Sequence, residues 1–122
     1  MKSLIATSVL FILLIGTVAA NFFFVNRITD CMEQMVKNLP DIDNADCVVA
    51  AQELQEYWES RCDLLGLSLG YNLIDRVCEQ SALLLTCAEI RDVYGYYSAR
   101  TLLLDAIDDA RRTENFSIRN LL

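Results

Sequence analysis

The sequence predicts an all-α fold: an N-terminal transmembrane or signal-anchor helix that continues into a stalk, followed by a small antiparallel bundle of about three helices. Three observations predict it. An uncharged apolar run occupies residues 4–25. Beyond it, apolar residues recur at spacings of three and four, the helical period. Helix breakers are sparse, and Pro40, Gly66, Gly70 and Gly95 fall where the periodic pattern lapses.

The first element, LIATSVLFILLIGTVAANFFFV, has 22 residues, interrupted only by Thr7, Ser8, Thr17 and Asn21. As a helix it reaches ~33 Å, the thickness of a bilayer's hydrocarbon core. Lys2 precedes it and Arg27 follows. The leading Lys favours a cytoplasmic N-terminus and an extracytoplasmic remainder. This divides the chain into an anchor, residues 1–26, and a helical domain, residues 27–122. Thr17-Val18-Ala19 and Val18-Ala19-Ala20 also resemble a small-x-small cleavage site, so release near Ala19 or Ala20 is the competing reading. Phe22, Phe23, Phe24 and Val25 carry the apolar run past that site without a polar break, which favours an uncut anchor. A third reading buries the segment as a soluble core helix.

The stripe then continues as Val25, Ile28, Met32, Met35 and Leu39, with Cys31 and Val36 beside it, an amphipathic stalk. Pro40 ends that helix, and Asp41, Asp43 and Asn44 suit a turn and an N-cap. A second helix is predicted over about 45–65, with Cys47, Ala51, Leu54, Trp58, Cys62 and Leu65 on its apolar face. GLSLGYN, residues 66–72, reads as the next break. A third helix over about 73–90 carries Ile74, Val77, Cys78, Ala82, Leu84, Leu85 and Ala88. Its apolar arc is wide enough to place it centrally. RDVYG, residues 91–95, is a turn with Asp92 as N-cap. The last helix, about 96–112, buries Tyr96, Ala99, Leu103, Ala106, Ile107 and Ala110 and ends on Arg111 and Arg112, favourable to its dipole. The tail, with Phe116, Ile118, Leu121 and Leu122, is expected to fold back onto the bundle.

The formal net charge is −7, and from Ile28 onward seventeen acids face eight bases. Nucleic-acid partners are excluded on that ground, since phosphate binding needs clustered cations. The surface also disfavours lying flat on anionic lipid. There is no His, which removes the commonest general base and metal ligand. No Gly-rich phosphate loop is present, and the five cysteines form no CxxC pair, so neither a cofactor nor a metal is expected.

Cys31, Cys47, Cys62, Cys78 and Cys87 read first as small apolar residues at helix contacts. Cys62 and Cys78 lie eight residues either side of Gly70, at matching heights on adjacent helices. They are the one candidate disulfide, which an extracytoplasmic location would permit. Asp105, Asp108 and Asp109 cluster on the last helix and Asp75 and Glu79 on the third, both read as solvated faces. Trp58, Tyr71, Tyr96 and Tyr97, with Tyr94, are candidate interaction or packing aromatics. Asn115-Phe116-Ser117 has the spacing of a glycosylation sequon.

The anchor, Trp58, LSLGYNLIDRV at 67–77, the helical hairpin and the closing FSIRNLL at 116–122 together resemble the bacterial domain of unknown function 4363 family. Its members are membrane-anchored helical proteins of clostridia and related spore-formers. The resemblance covers nearly the whole chain. It implies location and shape, and no activity. Members often carry a His in the segment matching Gly70-Tyr71, where this chain has none.

These features favour a non-enzymatic interaction or accessory module of the cell envelope. It would be held in the membrane bilayer through residues 4–25, with an envelope protein or a second copy of itself as partner. A soluble binding protein released near Ala19 or Ala20 is the alternative, and an enzyme the least supported class.

Overall fold

The computed structural model describes residues 1–121, and the side chains of all of them except 66–69 and 114–121. It is all-helical, with α1 Lys2–Lys37, α2 Asp46–Glu59, α3 Cys62–Leu69, α4 Tyr71–Ile90 and α5 Val93–Leu121. No strand occurs among the described residues.

The long helices form an antiparallel bundle. The Arg100 guanidinium donates to the Lys37 carbonyl at 3.1 Å, and Arg111 reaches Asp30 and Glu33, so α5 runs back along α1. Arg76 meets Asp109 at 2.9 Å across α4 and α5. α4 packs on α2, α3 and α5, the central position its wide apolar arc predicts. All the stripe residues predicted for α5 are buried, as are Cys47, Ala51, Leu54, Trp58 and Leu65 of α2 and α3. Leu83, outside the predicted stripe, is exposed on α4.

The stripe predicted for the amphipathic stalk is packed. Val25, Ile28, Met32 and Val36 are buried, so the second half of α1 packs on the bundle, mainly against α5. Burying the stripe removes from water the apolar area that a free stalk would leave exposed. The transition from bare helix to core is abrupt. Residues 4–17 are exposed, Val18, Asn21 and Phe22 are partly covered, and Val25 is the first fully buried side chain. α1 is unbroken throughout.

Three element boundaries differ from expectation. The helix predicted over 45–65 breaks at Ser60 and Arg61, where the Ser60 hydroxyl and the Arg61 guanidinium both donate to the Tyr57 carbonyl. Side chains that capture a helical carbonyl compete with continuation of the helix. The chain then stays helical through Gly66 and turns only at Gly70, whose φ of 78° and ψ of 156° are open to glycine and strained for other residues. Finally, α5 does not end at Arg112. No Gly or Pro lies in TENFSIRNLL, and the helix runs on to Leu121. Arg111 is therefore a mid-helix cation facing α1 instead of a terminal one facing the dipole. The expected fold-back of Phe116, Ile118, Leu121 and Leu122 concerns side chains outside the described residues.

The turn residues engage as predicted, although RDVYG is helical from Val93, which confines that turn to Arg91 and Asp92. Asn44 Oδ1 accepts from the Asp46 amide at 2.9 Å, opening α2. Asp92 Oδ1 accepts from the Gly95 amide at 3.0 Å, an N-cap on α5.

Candidate functional site

The candidate aromatics are not brought together. Trp58 and Tyr96 are core residues, fully buried on α2 and α5. Tyr96 donates its hydroxyl to the Pro40 carbonyl at 2.7 Å, tying α5 to the loop after α1, and burial pushes its phenol pKa up. Tyr97 packs edge-on against Tyr96, with ring centres 5.2 Å apart, and reaches Asp41. Tyr71 stands exposed at the start of α4, at the opposite end of the bundle.

The thiols are all free. Cys62 and Cys78 are not bridged: Cys62 Sγ donates to the Glu59 carbonyl, and Cys78 Sγ accepts from the Trp58 indole at 3.0 Å. Burial raises the Cys78 thiol pKa, more than the indole hydrogen bond lowers it. Burial likewise raises Cys87. A raised thiol holds less thiolate at neutral pH, which opposes nucleophilic reactivity at both.

Two of the three clustered acids of α5 are engaged by cations. Asp109 pairs with Arg76 and Arg112, and Asp108 with Arg112. Among the described residues no group of three His, Cys, Asp or Glu side chains is placed to hold a metal. A shallow cleft between α1 and α5 is lined by Glu33, Lys37, Leu104, Asp105 and Arg111. Within it Glu33 accepts from both Lys37 and Arg111, and those two partners hold its carboxyl below the usual range. A broader apolar depression uses Val93, Tyr94, Tyr97 and Leu102, all from α5, and is one open helix face.

Two arrangements escaped sequence reasoning. The first is a cluster around Tyr57, whose ring carries the Arg61 guanidinium at 3.8 Å from its centre. Burial raises the Tyr57 phenol, the neighbouring Cys31 of α1 raises it further, and the nearby cations Arg61 and Arg27 oppose them. Neither Arg27 nor Arg61 has a carboxylate partner within ion-pair distance among the described residues. The i,i+4 spacing of Tyr57 and Arg61 was the available signal. The second is the fit of Gly95 against Cys87, where a Cβ on Gly95 would lie 2.7 Å from Cys87 Sγ. Nothing in the linear pattern announces that approach.

The remaining feature is α1 itself. It is the one helix among the described residues long and apolar enough to cross a membrane, and only 6% of its most apolar window is buried. Within it, Thr7 and Thr17 donate their hydroxyls to the carbonyls of Ser3 and Leu13, at 2.7 and 2.8 Å.

No family model, curated protein or solved structure matches the chain.

Proposed function

We propose that this chain is a single-pass membrane protein whose bundle serves as a non-enzymatic interaction or accessory module of the cell envelope. Its N-terminus is cytoplasmic and residues 27–122 are extracytoplasmic. The observation that carries the reading is the bare first half of α1. Residues 4–17 are exposed all round, a surface that water penalises and hydrocarbon accepts. The hydroxyls of Thr7 and Thr17 are satisfied within the helix, as a bilayer requires. The resemblance to the domain of unknown function 4363 family belongs to the same proposal and adds the bacterial envelope as its setting.

Release as a soluble binding protein is the second reading, and one observation favours it. Val25 is the first fully buried residue, so cleavage after Ala19 or Ala20 would leave the core intact. It would also leave Phe23, 70% exposed, in water near a new terminus.

Fractionation of a C-terminally tagged chain with intact-mass measurement separates the two. Full-length mass in a carbonate-resistant membrane fraction is expected. A soluble product lacking the first 19 or 20 residues would overturn the anchored reading. Co-purification with an envelope protein, or self-association in detergent, is the expected sign of the interaction role. A lone monomer without partners would count against it.

A further inference from the structure

The anchor and the bundle have no spacer between them. Val25 ends the uncharged run and is also the first fully buried core residue, and α1 passes through it without a break. A bundle joined this way cannot stand off from the bilayer that holds the apolar half of α1.

The antiparallel topology fixes which end of the bundle faces that surface. Tyr57, which carries Arg61 on its ring and feels Cys31 and Arg27 of α1, puts the end of α2 level with the point where α1 leaves the bundle. α3 and the start of α4 follow directly. The Arg76–Asp109 and Arg111–Asp30 pairs place that start at the same level along α5. The residues gathered there suit an interface. Leu64 on the short helix α3 is 57% exposed, and Tyr71 at the head of α4 is 78% exposed. Phe23 is exposed on α1 just below. Arg27 and Arg61, without a carboxylate partner among the described residues, add two cations at that level. Exposed aromatic and aliphatic side chains flanked by arginine match the boundary layer of a bilayer, where rings sit among headgroups and guanidinium groups meet phosphates. The carboxylate of α3, Asp63, is exposed in its first turn and stays hydrated in that layer.

We propose that this end of the bundle is seated in the phospholipid headgroup layer, with Leu64 and Tyr71 entering the interface and Arg27 and Arg61 reaching lipid phosphates. The proposal rests on the anchored reading and adds a fixed orientation: the bundle docks on the membrane through α3 and the head of α4, and presents the Pro40–Asn44 loop and the α4–α5 turn outward.

Two exposed tyrosines at opposite ends provide the test. Y71W and Y94W are each made in the full chain, which is reconstituted in phosphatidylcholine nanodiscs. Some of the lipid is brominated near the glycerol end of its acyl chains. Trp58, buried in both variants, is a common background measured in the parent protein. α4 separates the two positions by ~30 Å. The indole introduced by Y71W is expected to emit at shorter wavelength and to be quenched at least about twofold more than that introduced by Y94W. Equal quenching and equal emission, with the protein held in the disc, would overturn the docked orientation and leave the anchor standing. Failure of the parent protein to enter the disc would overturn the anchored reading, and this proposal with it.

Discussion

The indole of Trp58 donates to Cys78 Sγ at 3.0 Å, joining α2 to α4 through a sulfur acceptor in the core. Trp58 is the only tryptophan in the chain, so its emission reports on this contact. C78A would strand a buried indole N–H, at a cost of about 1–2 kcal/mol. C62A removes a local contact to Glu59 and a partly buried side chain at the edge of the core, strands no polar group, and is expected to cost about 0.5 kcal/mol, less than C78A. Urea unfolding followed by Trp58 emission reads both. Equal midpoints would show that the sulfur contact carries no stability.

Gly95 is required by close approach. A Cβ there would lie 2.6 Å from Asp92 Oδ2 and 2.7 Å from Cys87 Sγ. Asp92 is the N-cap of α5 and Cys87 is buried on α4, so neither can withdraw freely. G95A should therefore destabilise by about 1–3 kcal/mol, despite the better helix propensity of alanine. A melting temperature at or above that of the parent would mean that the α4–α5 corner relaxes without cost.

The two positive-φ residues among those described predict opposite responses. Arg91 caps α4 at φ 59° and ψ 40°, the left-handed region where glycine is preferred. R91G should stabilise by up to about 1 kcal/mol. Gly70, at φ 78° and ψ 156°, lies outside that region, so neither alanine nor asparagine fits. Both substitutions should cost about 1–3 kcal/mol. Calorimetry on the three variants checks the signs. Rescue of Gly70 by asparagine would show that its conformation differs from the one described.

The helical stripes were legible because burial follows the period of 3.6. Every residue predicted on the face of α5, from Tyr96 to Ala110, is buried. Asp92 was legible as a cap, and Asn44 as a turn residue, because their side chains act within a few residues of their own position. The break at Ser60–Arg61 was hidden because it depends on two side chains capturing one carbonyl, with no Gly or Pro to mark it. Packing of the stalk stripe was hidden for another reason. Periodicity shows that Val25, Ile28 and Met32 share a face, and cannot show whether α5 is long enough to cover it. The cluster of Tyr57 with Arg61, Cys31 and Arg27 joins residues on two helices, which one-dimensional spacing does not connect.

Glu33 gives the fold a pH-dependent element. Lys37 and Arg111 hydrogen-bond its carboxylate and depress its pKa below the usual glutamate value. A depressed acid contributes stability that is full above the unfolded-state pKa and is lost as pH falls through the folded-state value. E33Q should be less stable than the parent by about 1 kcal/mol at neutral pH. The difference should shrink as pH falls below 4.5 and vanish once the parent carboxylate is protonated. Urea midpoints across that range test the sign. A gap that widens in acid would show that Glu33 is not held in its charged form by these partners.

Tyr96 fixes the end of the bundle farthest from the apolar half of α1. Its ring is fully buried, and its hydroxyl donates to the Pro40 carbonyl at 2.7 Å, across 56 positions of sequence. The carbonyl before Asp41 has no helical partner, because Pro40 follows the last turn of α1. Y96F keeps the packed ring and its edge-on contact with Tyr97, and removes only the donor. It should cost about 1 kcal/mol, the net worth of one buried hydrogen bond. The loss should concentrate in faster amide exchange over residues 38–44. Tyr97 makes a longer, exposed contact to Asp41 at 3.3 Å, so Y97F should change neither stability nor exchange measurably. If the two variants behave alike, the buried Tyr96 hydrogen bond does not hold the loop, and the aromatic packing shared by both would be what orders it.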